Sequence, residues 1–137
     1  GSTHILHLHG EIRKARSTAD ESLIYDIDGW QLNRGDRCEK GSQLRPHIVW
    51  FGEPVYAINE AARIARRADM LIVIGTSLMV YPAAGLLYDV PDGIPKYLVD
   101  PKAVPAFGVR NLEIIRDPAG KGVPALVERL LQEAKKA

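Results

Sequence analysis

The chain has 137 residues, 46% hydrophobic and 26% charged, the balance of an ordinary globular domain rather than a disordered or fibrous one. Eighteen Lys and Arg against seventeen Asp and Glu leave a formal charge of +1, without the basic excess of a direct nucleic-acid binder. A single cysteine excludes an internal disulfide and any complete cysteine-based zinc site. The longest apolar runs, near 70–74 and 78–88, are too short to span a bilayer, and the opening residues carry no signal-peptide pattern. The expectation is one cytoplasmic domain with no membrane partner.

His4-Ile5-Leu6-His7-Leu8-His9 nearly alternates apolar and polar side chains, which predicts a strand closed by Gly10. From 16 to 46 the composition turns to Ser, Thr, Asp, Gly, Arg and Lys. This reads as a long loop or small insertion with one short strand around Leu23–Ile27. An apolar segment, His47-Ile48-Val49-Trp50-Phe51, ends at Gly52 and Pro54. Ile58, Ala61, Ala62, Ala65 and Ala68 then fall on one face at helical spacing, with Glu60, Arg63, Arg66 and Arg67 elsewhere. That helix leads into Met70-Leu71-Ile72-Val73-Ile74, an unbroken apolar strand suited to a parallel sheet covered on both faces. Pro82–Val90 reads as a second helix, and Lys96–Val99 and Leu112–Ile115 as two further strands. A last helix places Val123, Leu126, Val127, Leu130, Leu131 and Ala134 on one stripe, with Pro124 at its start.

This order is that of an α/β domain with a mostly parallel sheet. Ligands of such sheets bind beyond the carboxyl ends of the strands, where Gly75-Thr76-Ser77 and Asp100-Pro101 fall. Spacing alone leaves that signal weak, because Gly-Thr-Ser turns after buried strands are common.

Three blocks together say more. Leu8-His9-Gly10-Glu11, then Leu44-Arg45-Pro46-His47-Ile48-Val49-Trp50-Phe51-Gly52-Glu53, then Ala68 through Ala84 with Ile74-Gly75-Thr76-Ser77-Leu78-Met79-Val80-Tyr81-Pro82 occur in the order and approximate spacing of the sirtuins. The chain resembles this family of NAD-dependent protein deacylases from residue 1 to its last helix, most weakly between 17 and 37, and the bacterial branch through Arg45-Pro46-His47. The resemblance implies a doubly wound, Rossmann-like α/β fold of which this chain holds the C-terminal half. Residues 1–15 and 44–137 would belong to that half, and 16–43 to a reduced small-domain insertion.

The resemblance also implies roles. His9 matches the catalytic histidine. Val49, Phe51, Gly52 and Glu53 match the segment that pairs with an acylated-lysine peptide, and Leu78, Met79 and Val80 the opposing wall. A peptide would then lie between them as an added strand. Gly75, Thr76, Ser77, Asp100 and Ala119 match positions around NAD, the co-substrate. In the family's chemistry the acyl oxygen displaces nicotinamide, and a base then activates a ribose hydroxyl. An imidazole of ordinary pKa about 6.5 takes that proton near neutrality.

Three departures qualify this. The family's two Cys-x-x-Cys pairs fall here on Ser17 and Asp20, and on Cys38 and Gly41. One thiolate builds no tetrahedral structural site, so no zinc is expected. The glycine fingerprint and the Gln-Asn-x-Asp motif of the family's N-terminal portion are absent, and Gly1-Ser2-Thr3 reads as native sequence. That missing portion would be a partner of this segment, and the 137 residues alone are expected to bind NAD poorly and to show no deacylase activity. Leu98 stands where many members have an Asn facing the cofactor.

Blander readings exist for the same residues. His4, His7 and His9 invite a metal reading, but no carboxylate or cysteine group follows at ligand spacing. His47 reads as a hydrogen-bonded structural residue, and Arg63, Arg66 and Arg67 as a solvated helix face. The competing function is a non-catalytic remnant that binds ADP-ribose or a protein and regulates. Mono-ADP-ribosyl transfer is a third reading that shares the cofactor.

Overall fold

The structure, a computed structural model, describes residues 2–136; Gly1 of the opening Gly1-Ser2-Thr3 lies outside them. Its contacts separate two units, Gly1–Ala57 and Ile58–Ala137. This grouping puts residues 1–15 and 44–57 with 16–43 rather than with the second unit.

The first unit is a three-stranded antiparallel sheet in the order β2-β1-β3, with β1 at Gly10–Ser17, β2 at Ile24–Asp26 and β3 at Leu44–Ile48. The strand expected at His4–His9 is not there. Residues 4–9 are irregular and end in a turn at Leu8–His9, and the strand begins where Gly10 was to close it. Partners for the backbone decide this: β1 is bonded on both sides, whereas His9 offers its carbonyl to Val49 N–H at 3.0 Å and Ile5 and Leu6 stay exposed. Gly10 makes the entry possible. Its φ of +82° favours glycine, and a Cβ there would lie 2.8 Å from the His47 carbonyl carbon. The short strand expected around Leu23–Ile27 is β2, but the expected loop is shorter than 16–46, because β1 runs to Ser17 and β3 starts at Leu44.

The second unit is α/β. Strands β4 (Leu71–Ile74), β5 (Lys96–Val99) and β6 (Leu112–Ile115) form a parallel sheet in sequence order, with Ile74 opposite Val99 and Val99 opposite Ile115. Helix α1 (Ile58–Ala65) turns Ala62 inward and Arg63 and Arg66 outward, as its spacing predicts. The second helix is shorter than expected, a 3₁₀ turn at Ala83–Gly85 followed by the single-turn α2 (Leu86–Asp89). Helix α3 (Ala119–Ala134) starts earlier than expected, so Pro124 lies inside it and Ala119 is its first residue. It comes close to β5: a Cβ on Gly122 would lie 2.7 Å from Val99 Cγ1. Only glycine allows this approach of helix to sheet.

Burial is centred on β5, where Leu98 is 1% and Val99 0% exposed, with Ala84, Leu87, Val90 and Leu126 around them. The apolar β4 is only half-buried and Ile74 is exposed, so the expected cover on both faces is not present on this edge among the described residues. The α3 stripe is likewise partial, with Leu126 buried and Val127 and Leu131 exposed. Lys96 is fully buried. Its Nζ donates to the carbonyls of Pro91, Asp92, Ile94 and Arg110 at 2.9–3.2 Å, which ties the entrances of β5 and β6 together. Among the described residues no helix is long and apolar enough to cross a membrane.

Candidate active site

In the second unit the five residues matched to NAD fall along one edge of the parallel sheet. Gly75 follows β4 and its N–H donates to Val99 O at 3.0 Å, so the β4 turn sits beside the end of β5. Asp100 follows β5 and its N–H donates to Ile115 O at 3.1 Å, which brings in the end of β6. Ala119 opens α3 just beyond. This is the carboxyl edge, where α/β sheets take their ligands.

The edge suits a ribose or a phosphate. Gly75 has φ +66° and open space where a Cβ would stand, so a ligand can reach the backbone. Thr76 Oγ1 accepts Leu78 N–H at 3.1 Å and keeps its own proton to donate. Asp100 Oδ1 accepts Lys102 N–H at 2.7 Å, leaving the second oxygen without a protein partner among the described residues. Leu78 lies at φ +56°, a left-handed conformation that L side chains rarely adopt; such strain concentrates at ligand-binding turns, and it had no signal in the sequence. Leu78 and Met79 also line a pocket of about 150 Å³ with Tyr81, Leu87, Tyr88 and Phe107, while Val80 is exposed. A larger hollow of about 530 Å³ opens at the opposite, amino edge beside Lys96 and Tyr97. The Lys96 ammonium there is already occupied by carbonyls, so that hollow offers no free charge.

In the first unit His9 is exposed, in the turn before Gly10. Its main chain is fixed by Val49 N–H, and Gly10 is pressed against His47. Val49 is half-buried; Phe51, at 94% exposure, and Gly52, at φ +87°, form the tip of the next turn. Glu53 differs from its neighbours in pointing into a polar network. It receives both terminal nitrogens of Arg45 (Nη2 at 3.2 Å), Arg16 Nη2 at 3.3 Å and Trp50 N–H at 3.0 Å. The Arg45 guanidinium, then the Trp50 N–H, hold its carboxyl below the usual carboxylate range. Arg16 is 6% exposed and its Nη1 also reaches Glu21 at 3.4 Å. Sequence reasoning left Arg16 out, because a buried arginine carries no periodic signal.

His7, Gly10, Arg16, His47, Ile48, Val49 and Tyr56 surround a pocket of about 180 Å³ in this unit. Burial, then the Arg16 charge, push the His47 imidazole below its ordinary pKa.

The four positions where the family carries cysteines also come together. Cys38 Sγ donates to Ser17 Oγ at 3.5 Å, both side chains being buried. Ser17 Oγ accepts Ala19 and Asp20 N–H at 3.2 and 3.3 Å. Gly41 N–H closes a turn onto Cys38 O, and Lys40 Nζ pairs with Asp20 at 2.7 Å. Lys40 foremost, with Ser22, lowers the Asp20 carboxyl to about 2. A thiol bonded to a serine hydroxyl, beside a carboxylate taken up by Lys40 and Ser22, does not make a structural zinc site, and the described residues hold no cluster of three or more metal-ligating side chains.

Comparison with known proteins adds a second line of argument. The Sir2 family model matches residues 1–82. An NAD-dependent protein deacylase of Bacteroides thetaiotaomicron is 45% identical over 136 residues, covering 96% of this chain and 58% of that protein. One from Helicobacter pylori is 43% identical over 136 residues, covering 98% and 58%. Among solved structures, a Sir2 homolog–NAD complex superposes with TM-score 0.81 at 33% identity, covering 97% of this chain and 53% of the other. Sir2Tm bound to a propionylated peptide gives 0.69 at 29%, covering 100% and 59%. The chain thus spans little more than half the length of the relatives it matches.

Proposed function

The chain belongs to the Sir2 family, and from that premise we propose that it is the C-terminal part of an NAD-dependent protein lysine deacylase. Residues 1–15 and 44–137 would form the C-terminal half of its Rossmann-like body and 16–43 a reduced insertion. The observation that carries the reading is the carboxyl edge of the parallel sheet, where Gly75-Thr76-Ser77, Asp100 and Ala119 line up in one row.

When bound, NAD supplies a ribose carbon that loses nicotinamide and a ribose hydroxyl that must be deprotonated. In this reading a His9 ring nitrogen takes that hydroxyl proton. The fixed main chain at His9 and Gly10 orients the ring, and its exposure leaves it open to substrate. Asp100 offers its second oxygen to a ribose hydroxyl, and Gly75 lets a phosphate approach the backbone. In the first unit the half-buried Val49 and the exposed Phe51 offer apolar surface to an acyl chain, and in the second Leu78, Met79 and Val80 do so. Gly52 and Glu53 complete the peptide-pairing segment. An acylated-lysine peptide is the substrate class, and the Sir2Tm complex with a propionylated peptide supports it. A cytoplasmic location goes with that reading.

The test is nicotinamide release from NAD by the full native polypeptide, with acetylated and succinylated peptides. Peptide-dependent release with formation of deacylated product is expected. ADP-ribose binding without any release would favour the non-catalytic remnant instead.

A further inference from the structure

Trp50 to Glu53 form a turn closed from both sides: Glu53 N–H donates to Trp50 O and Trp50 N–H donates to Glu53 Oε2, each at 3.0 Å. Nothing apolar anchors it, since Trp50 and Phe51 are both exposed. What ties it to the sheet is charge. Arg16 on β1 and Arg45 on β3 are direct cross-strand partners, and like charges placed opposite each other repel. The Glu53 carboxylate bridges them, and Glu21 takes the outer nitrogen of Arg16. The result is an alternating row, Glu21–Arg16–Glu53–Arg45, with two negative and two positive groups. Arg45 Nη2 also donates to Ile48 O at 3.4 Å, at the point where β3 ends.

We infer that this row is the positioning device for the peptide-binding segment: Arg16 and Arg45 act through Glu53 to fix the turn that presents Val49 and Phe51 to the substrate. The inference rests on the deacylase reading and reassigns Glu53 from a contact with the peptide to a support behind that contact. Charge-assisted, forked bonds from two rigid strands hold a turn in one geometry at little entropic cost. Loosening them changes how well the segment is preorganised for an incoming peptide strand, and none of the row's four side chains is among the residues matched to NAD.

The experiment compares Glu53→Gln, Arg45→Lys and the double variant Arg45→Gln/Glu53→Gln in the full native polypeptide. Glu53→Gln keeps an acceptor for Trp50 N–H but loses the charge. The expected result is a KM for acylated peptide raised about tenfold in each single variant. The KM for NAD should stay within about twofold, and the double variant should be no worse than the singles, as for residues that act as a unit. A peptide KM that does not move, or one that rises together with the KM for NAD, overturns the inference. Amide hydrogen exchange gives a readout without turnover. Glu53→Gln should speed exchange at Trp50 and Glu53 while β1 and β3 keep their protection; unchanged exchange at the turn contradicts the inference. If Glu53→Gln speeds exchange at the turn but the wild type releases no nicotinamide, the deacylase reading fails and the row is left as the device that orders this turn.

Discussion

The two units are held by different forces. In the first, the buried side chains include Arg16, Ser17 and Cys38, and the links between segments are ion pairs and hydrogen bonds: Arg16 to Glu53, Cys38 to Ser17, Lys40 to Asp20. In the second, Leu98, Val99, Leu87 and Leu126 supply an apolar centre, and the one buried charge among its described residues, Lys96, is spent entirely on backbone carbonyls. A small unit that cannot bury much apolar surface needs staples. The comparison teaches that a unit with little apolar surface to bury can keep its turns through polar links such as Cys38 to Ser17 and Lys40 to Asp20.

Three experiments break or sharpen the contrast. The largest effect is expected from Lys96→Met in the second unit. It takes the ammonium from four carbonyls and leaves those of Ile94 and Arg110 without a donor among the described residues, since Pro91 O keeps Ile94 N–H and Asp92 O keeps Asn111 Nδ2; each orphaned acceptor costs about 1–3 kcal/mol when buried. A loss of at least about 3 kcal/mol in denaturant unfolding is expected, while amide protection of the first unit stays as it was. Next is Gly10→Ala, which forces a side chain into a left-handed backbone and against the His47 carbonyl. A loss of about 2 kcal/mol is expected, read by hydrogen exchange in β1 and β3, together with loss of deacylation because His9 is displaced. The smallest effect is expected from acid. Asp20 is lowered from 3.8 to about 2 and Glu53 is also lowered, so what these carboxylates contribute is full above their unfolded pKa values and is lost as the pH falls through the folded ones. His47 is lowered from 6.5 by burial, so its contribution is full above that value and fades below it. All three have the same sign. Hydrogen exchange between pH 7 and pH 3 should therefore show the first unit loosening before the second.

The same contrast explains what the sequence made legible. Apolar periodicity located β5 and β6 at their observed bounds and placed α1 and β4 within a few residues, because packing of apolar faces is what that signal reports. It misplaced β1, since Gly10-Glu11-Ile12-Arg13-Lys14-Ala15-Arg16-Ser17 has few apolar residues and becomes a strand through backbone pairing and buried polar side chains. His4–His9 had the better alternation but, among the described residues, no strand beside it, with the His9 carbonyl alone taken by Val49 N–H. Pro124 suggested a helix start, yet α3 already begins at Ala119, directly after Pro118. At the candidate site, strand ends pointed only weakly to the Gly-Thr-Ser turn and Asp100, and the family resemblance supplied their expected roles. The inward direction of Glu53, the burial of Arg16 and the strained Leu78 depend on long-range contacts that no local pattern encodes.

The central claim of the proposed function is that His9 supplies the base and that Asp100 helps to hold the cofactor. The most direct test is a paired measurement on the full native polypeptide, NAD affinity by titration and deacylated product by chromatography, for His9→Ala and Asp100→Ala. The account expects His9→Ala to abolish product while leaving NAD affinity within about threefold, and Asp100→Ala to weaken NAD by about tenfold, the worth of one charged hydrogen bond. Undiminished product from His9→Ala, or unchanged NAD affinity in Asp100→Ala, would contradict it.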